Sequence, residues 1–67
     1  MKIGSIIHEL RQQKGLSQAQ LAKAIGVSQK AIDFWEKGTN EPKASYILAL
    51  SDFFNVTTDF LLGKTEY

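Results

Sequence analysis

Apolar positions recur with a helical period along almost the whole chain. Ile3, Ile6, Ile7 and Leu10 stand at i, i+3, i+4 and i+7, which predicts an amphipathic helix reaching to about Lys14 and ended by Gly15. Ser17 followed by Gln20 has the spacing of a capping box, and Leu21, Ala22 and Ile25 give the second helix its buried face. Gly26 supplies the left-handed residue that closes it. Val27 and Ser28 follow at once, Ser28 as the next N-cap, and Ile32 and Trp35 line the inner face of a third helix that stops at Gly38. Thr39-Asn40-Glu41-Pro42 is the one loop of any length. Proline tolerates only the first turn of a helix, so a fourth helix begins close to Pro42 or Lys43 and runs through Ile47, Leu48, Leu50, Phe53 and Phe54 to Asn55. Thr57 caps a short last helix holding Phe60, Leu61 and Leu62, closed by Gly63. The expectation is an all-α, compact five-helix domain without strands, repeats or linkers.

The length sharpens this. Sixty-seven residues make a single domain, 1–67, with no room for an enzyme cleft between lobes. Apolar residues are 43% and charged ones 22%, which is globular rather than disordered composition. With no cysteine, neither disulfides nor a thiolate zinc site can staple the fold, so packing alone must hold it. The longest apolar run, Tyr46 to Leu50, is too short for a membrane span, and Met1-Lys2-Ile3-Gly4 lacks the apolar core of a signal peptide. A cytoplasmic domain without membrane contact is expected. The net charge of +1 divides unevenly: residues 1–44 carry seven basic side chains against four acidic ones (+3), and residues 45–67 carry Lys64 against Asp52, Asp59 and Glu66 (−2). A basic front and an acidic rear suit a protein presenting one face to a polyanion.

The second and third helices are joined by a turn of about three residues with glycine first, so the pair must cross steeply rather than lie antiparallel. Such a crossing needs a small residue where the helices press closest, supplied by Ala22. It needs positive φ four places later, supplied by Gly26. Leu21, Ile25, Val27, Ile32 and Trp35 face the core from both arms. These are the requirements of a helix-turn-helix, over about residues 17–37. The chain resembles the phage repressor and Cro-type helix-turn-helix domains, the Xre or λ-repressor-like family. The resemblance is carried by Lys14-Gly15-Leu16-Ser17-Gln18, Leu21-Ala22, Ile25-Gly26-Val27-Ser28, Ile32, Trp35-Glu36-Lys37-Gly38 and Asp59-Phe60-Leu61-Leu62-Gly63. Those blocks span essentially the whole chain.

The resemblance implies a sequence-specific transcriptional repressor of prophage or bacterial origin, with the helix after Ser28 in the major groove of double-stranded DNA. By position, Ser28, Gln29, Lys30, Asp33 and Phe34 lie where bases are read. The chemistry agrees for Gln29, which can pair with adenine, and for Lys30, which can donate to guanine. Ser28 suits a phosphate or a base. Phe34 departs from the family's polar pattern and could touch a thymine methyl or pack inward. Asp33 repels phosphates unless it accepts from a cytosine or pairs with Lys30 or Lys37. Gln18, Lys14, Lys37, Asn40 and Lys43 match backbone-contact positions, which orient a domain without specifying sequence. Arg11 and Glu36 match a pair that is ion-paired in some relatives. Relatives bind palindromic operators as homodimers with half-sites about 34 Å apart; here Phe60, Leu61 and Tyr67 are the candidate dimer surface.

Each assignment has a plainer competitor. Ser17 and Gln18 are good residues for any helix start. Lys14, Lys23 and Lys37 judged alone are solvated charges. Trp35 shares a stripe with Ile32 and is core, while Tyr46, Phe53, Phe54 and Phe60 are core or dimer interface. His8 lies off the first helix's apolar stripe and is expected in solvent. A lone histidine without a carboxylate cluster makes no metal site, and no serine has a histidine base nearby, so neither catalysis, cofactor nor small-molecule ligand is expected. The rival from another class is a protein-interaction module of the same fold, an antirepressor or antitoxin component, favoured by near-neutral charge and by Asp33, Phe34 and Glu41. Family domains commonly end near the Leu61-Leu62-Gly63 position, so the chain is either a complete small regulator or a domain of a longer one.

Overall fold

A computed structural model describes residues 2–64. Among these, five helices and no strand follow in order: α1 (Ile3–Gln13), α2 (Gln18–Ile25), α3 (Gln29–Lys37), α4 (Ala44–Phe54) and α5 (Thr58–Leu61). Their starts are set by local side-chain chemistry. Ser17 Oγ accepts from Gln20 N–H at 3.0 Å while Gln20 Oε1 accepts from Ser17 N–H at 2.8 Å, the full reciprocal box. Ser28 Oγ caps α3 through Ala31 N–H at 3.1 Å, and Thr57 Oγ1 caps α5 through Phe60 N–H at 3.0 Å. α4 starts without a side-chain cap; Lys43 is its N-cap residue and the buried Pro42 precedes it.

The turn between α2 and α3 works as its sequence demands. Gly26 sits at φ 85°, and its N–H and that of Val27 both reach the Ala22 carbonyl, at 2.8 and 3.0 Å. Three residues therefore turn the chain from α2 into α3, and the two helices pack together with Leu21 and Ala22 buried. Asn55 closes α4 in the same left-handed region at φ 56°, as its position predicts.

Ile3, Ile7, Leu21, Ala22, Ile32, Trp35, Leu50, Phe54 and Leu61 form one core to which all five helices contribute. α3 packs against both α1 and α2, so its inner face is fixed from two sides. The Trp35 ring also meets Tyr46 of α4 at 5.5 Å between centroids. At Gly4 α1 lies tight against the α3 backbone: a Cβ there would overlap the Trp35 carbonyl oxygen and press the Glu36 carbonyl at 3.0 Å. Leu48, within the run of apolar residues predicted for the fourth helix, instead faces outward, 58% exposed.

One expectation is overturned. Leu61 was assigned with Phe60 to a dimer surface, but its side chain has no exposed area and belongs to the core, because the single turn of α5 aims it inward at its neighbouring helices. Phe60 is half-buried beside it. Tyr67, the third member of that surface, lies outside the described residues. No helix among the described residues is long and apolar enough to cross a membrane.

Candidate nucleic-acid interface

With Ile32 and Trp35 committed to the core, the opposite face of α3 is left to solvent. Gln29 and Lys30 are exposed on its first turn. Ser28, just ahead, has its oxygen engaged as acceptor by the cap, which leaves the hydroxyl proton free to donate to a phosphate or base acceptor. Phe34 is half-buried one turn beyond Lys30, whose ammonium stands 5.7 Å from the ring centroid. The aromatic thus props the lysine stem along the helix surface, an i,i+4 contact of cation–π type.

Asp33 does not reach out alone. Its Oδ2 pairs with Lys37 Nζ at 3.0 Å, and its Oδ1 accepts from Gln18 Nε2 at 3.3 Å. Of the partners open to it in the sequence, Lys37 is the one taken, while Lys30 goes to Phe34. The hydrogen bonds from Lys37 and Gln18 hold the Asp33 carboxyl below the ordinary carboxylate range, with the Lys37 charge adding to them. Both acceptor oxygens are engaged, so Asp33 acts here as a neutralised brace between α2 and α3.

Arg11 and Glu36 form the ion pair that the family likeness implies. Arg11 Nε meets Glu36 Oε2 at 2.7 Å and Nη2 meets Oε1 at 3.0 Å, while Nη1 donates to the Leu16 carbonyl at 2.8 Å. The pair ties α1, the turn before α2 and the end of α3 together, with side-chain exposures of only 11% and 6%. Burial pushes the Glu36 carboxyl up, but hydrogen bonds from Arg11, His8 and Gln18, with the Arg11 charge, outweigh it and leave the group below its ordinary value. The same hydrogen bond to Glu36 raises Arg11 against the opposing effect of burial.

Gln18 occupies the first position of α2, but its side chain turns inward. Nε2 donates to Glu36 Oε1 at 3.1 Å as well as to Asp33. What α2 offers outward is its backbone: the capping box engages Ser17 and Gln20, and the N–H groups of Gln18 and Ala19 remain directed along the helix axis, a partial positive charge suited to an anion. Asn40 and Lys43 are exposed in and after the loop that follows α3. Lys14 is placed differently, its ammonium 5.7 Å from the Phe53 ring of α4.

The residue that sequence reasoning passed over is His8. Its side chain is 48% exposed, as expected, yet Nδ1 lies 2.9 Å from Glu36 Oε1 and 3.1 Å from Arg11 Nη2. The available signal was its place three residues before Arg11 on one helix, which puts both on a common face.

A family model described as helix-turn-helix matches residues 7–61. The chain belongs to that helix-turn-helix family. Among curated proteins it is 33% identical over 98% of its length to the HTH-type transcriptional regulator ImmR of Bacillus subtilis, and 39% identical over 98% to the transcriptional activator BcrR of Enterococcus faecalis. It is 38% identical over 90% of its length to repressor protein C2 of Salmonella phage P22. It spans about half of the first of these proteins and a third or less of the others, 52%, 32% and 28% of their lengths. The crystal structure of the P22 c2 repressor in complex with a synthetic operator superposes with a TM-score of 0.88 at 36% identity, over 94% of this chain and 96% of that one. The overall fold is therefore shared with that repressor over nearly the whole of both chains.

Proposed function

We propose that this helix-turn-helix domain binds double-stranded DNA sequence-specifically, with α3 in the major groove, and represses transcription by occupying an operator. The observation that carries the reading is the outward placement of Gln29 and Lys30 on the first turn of a helix whose opposite face is locked into the core. Gln29 offers the donor and acceptor an adenine edge requires, and Lys30, held along α3 by Phe34, a donor for guanine. Ser28, the open N–H groups at the start of α2, Lys37, Asn40 and Lys43 supply the phosphate grip. The operator complex of the P22 c2 repressor, a relative of the same fold, supports the reading. Repression needs only occupancy of the site; one relative is named an activator, so the same grip serves either direction.

Binding to a palindrome with half-sites roughly 34 Å apart would take two copies, one on each half-site, since the longest dimension of the domain is 27 Å. The surface around Phe60 is the proposed contact, and Phe60→Glu is expected to shift the sedimentation profile toward monomer. A DNA partner supports a cytoplasmic site of action.

The test is a fluorescence-anisotropy salt titration on duplex DNA with selection from a random-sequence pool. Steep weakening with salt and convergence on half-sites one turn apart are expected. Gln29→Ala and Lys30→Ala each relax preference at particular bases, by about 1–3 kcal/mol for a good bidentate contact. Absence of binding at low salt would overturn the reading in favour of a protein-interaction module.

A further inference from the structure

A cleft of about 410 Å³ opens between His8 and Arg11 of α1, Gln18 of α2, and Asp33, Glu36 and Lys37 of α3. On its wall three nitrogens converge on a single oxygen. Glu36 Oε1 lies 3.0 Å from Arg11 Nη2, 2.9 Å from His8 Nδ1 and 3.1 Å from Gln18 Nε2. One carboxylate oxygen offers about two lone-pair sites, so the three cannot all be accepted at full strength. Arg11 is fixed, because Nε holds Oε2 and Nη1 holds the Leu16 carbonyl. The two that compete are His8 and Gln18.

His8 has two neutral arrangements. With its proton on Nε2, the bare Nδ1 accepts from Arg11 Nη2 and leaves Oε1 to Gln18. With its proton on Nδ1 it donates to Glu36 instead. The imidazolium has only the second arrangement, as a charge-assisted bond. We infer that His8 is a positioning residue for Gln18: a proton on His8 draws Glu36 Oε1 away from the Gln18 amide and frees that amide to donate to a phosphate at the start of α2. Gln18 is then retained only by the longer contact to Asp33, at 3.3 Å. The inference rests on the DNA-binding reading above. The charged groups around the imidazole are Arg11 on its own helix and Glu36, Asp33 and Lys37 on α3; α2 contributes only the neutral Gln18 to the cleft.

Two measurements on the full chain test it together. The first follows the Gln18 side-chain amide resonances and the His8 ring signals by NMR as the pH is lowered from about 8 to about 5. The amide resonances are expected to move with the His8 ring signals in the wild type and to stay still in His8→Phe and His8→Asn. The second compares duplex affinity at the two ends of that range at constant low salt. Wild type is expected to gain about threefold at the lower pH, the worth of roughly one net hydrogen bond, and both His8→Phe and Gln18→Ala to lose that gain. Amide resonances indifferent to the His8 titration overturn the inference. So does a pH gain that survives in Gln18→Ala, since His8 would then act through its charge alone. If the amide titrates as expected while DNA is bound at neither pH, the hold of His8 on Gln18 stands and the DNA-binding reading falls.

Discussion

Glu36→Gln isolates the polar joint between α1 and α3. In the wild type the carboxylate accepts two bonds from Arg11, at 2.7 and 3.0 Å, and further bonds from His8 and Gln18. An amide of the same shape keeps one acceptor. If its oxygen takes the Oε1 place, its NH2 group faces Arg11 Nε, donor against donor, and the guanidinium keeps its Nη2 bond to that oxygen and its Nη1 bond to the Leu16 carbonyl but exchanges a carboxylate for a neutral partner. Removing one partner of a buried pair costs about 3–5 kcal/mol. The cleft admits water on one side and Arg11 is 11% exposed, which places this variant near the lower end, about 3 kcal/mol. A chain of this length commands roughly 3–10 kcal/mol in total, so the loss is large. Urea denaturation followed by circular dichroism at neutral pH measures it. A loss below about 1 kcal/mol, the worth of an exposed pair, would refute the reasoning and mean that water already serves Arg11. The double variant Arg11→Met with Glu36→Leu, which leaves no stranded charge, is expected to recover most of the stability.

Three further outcomes follow from the same geometry. Because the Glu36 carboxyl is held below its ordinary value, its contribution is complete above the usual carboxylate range and is lost as pH falls through the folded-state value; the acid limb of wild-type stability is therefore steeper than that of Glu36→Gln in pH-dependent denaturation. Gly4→Ala, despite a better helix former, forces α1 and α3 apart at the Trp35 carbonyl and destabilises by about 1–3 kcal/mol in thermal melts, whereas a neutral result would mean that the helices slide freely. Gly26→Ala meets no neighbour within 4 Å, so its cost is backbone strain at φ 85°, about 1–2 kcal/mol, and Gly26→Asn is expected to recover part of it.

The elements of this fold were legible where their determinants are local. Ser17 with Gln20, Gly26, Ser28, Asn55 and Thr57 act within three or four residues of themselves, and each does in the structure what its spacing predicts. Helix faces on longer elements were legible too, since Ile7, Leu21, Ile32 and Trp35 repeat often enough to define a direction. α5 has a single turn, too short for a stripe, and so the sequence does not show that Leu61 is buried. The polar cleft was legible only in part. Arg11 and Glu36 are 25 positions apart and were paired through family likeness alone, while His8 and Glu36, 28 apart, depend on the rotation of α1 against α3, which Gly4 sets by letting the two backbones touch. The inward turn of Gln18 depends instead on how α2 packs on α3, where two carboxylates one turn apart take its amide.

Trp35 is the chain's single tryptophan, 6% exposed, on the inner side of the helix whose outer side is proposed to read DNA, with the Tyr46 ring 5.5 Å away. That position makes the protein its own optical instrument. Indole emission, fed by excitation of the neighbouring phenol, would report on whether the core is intact and stay blind to whatever docks on the far side of α3. A titration with duplex DNA that leaves this emission unchanged while a labelled duplex tumbles more slowly would separate docking from folding in a single cuvette.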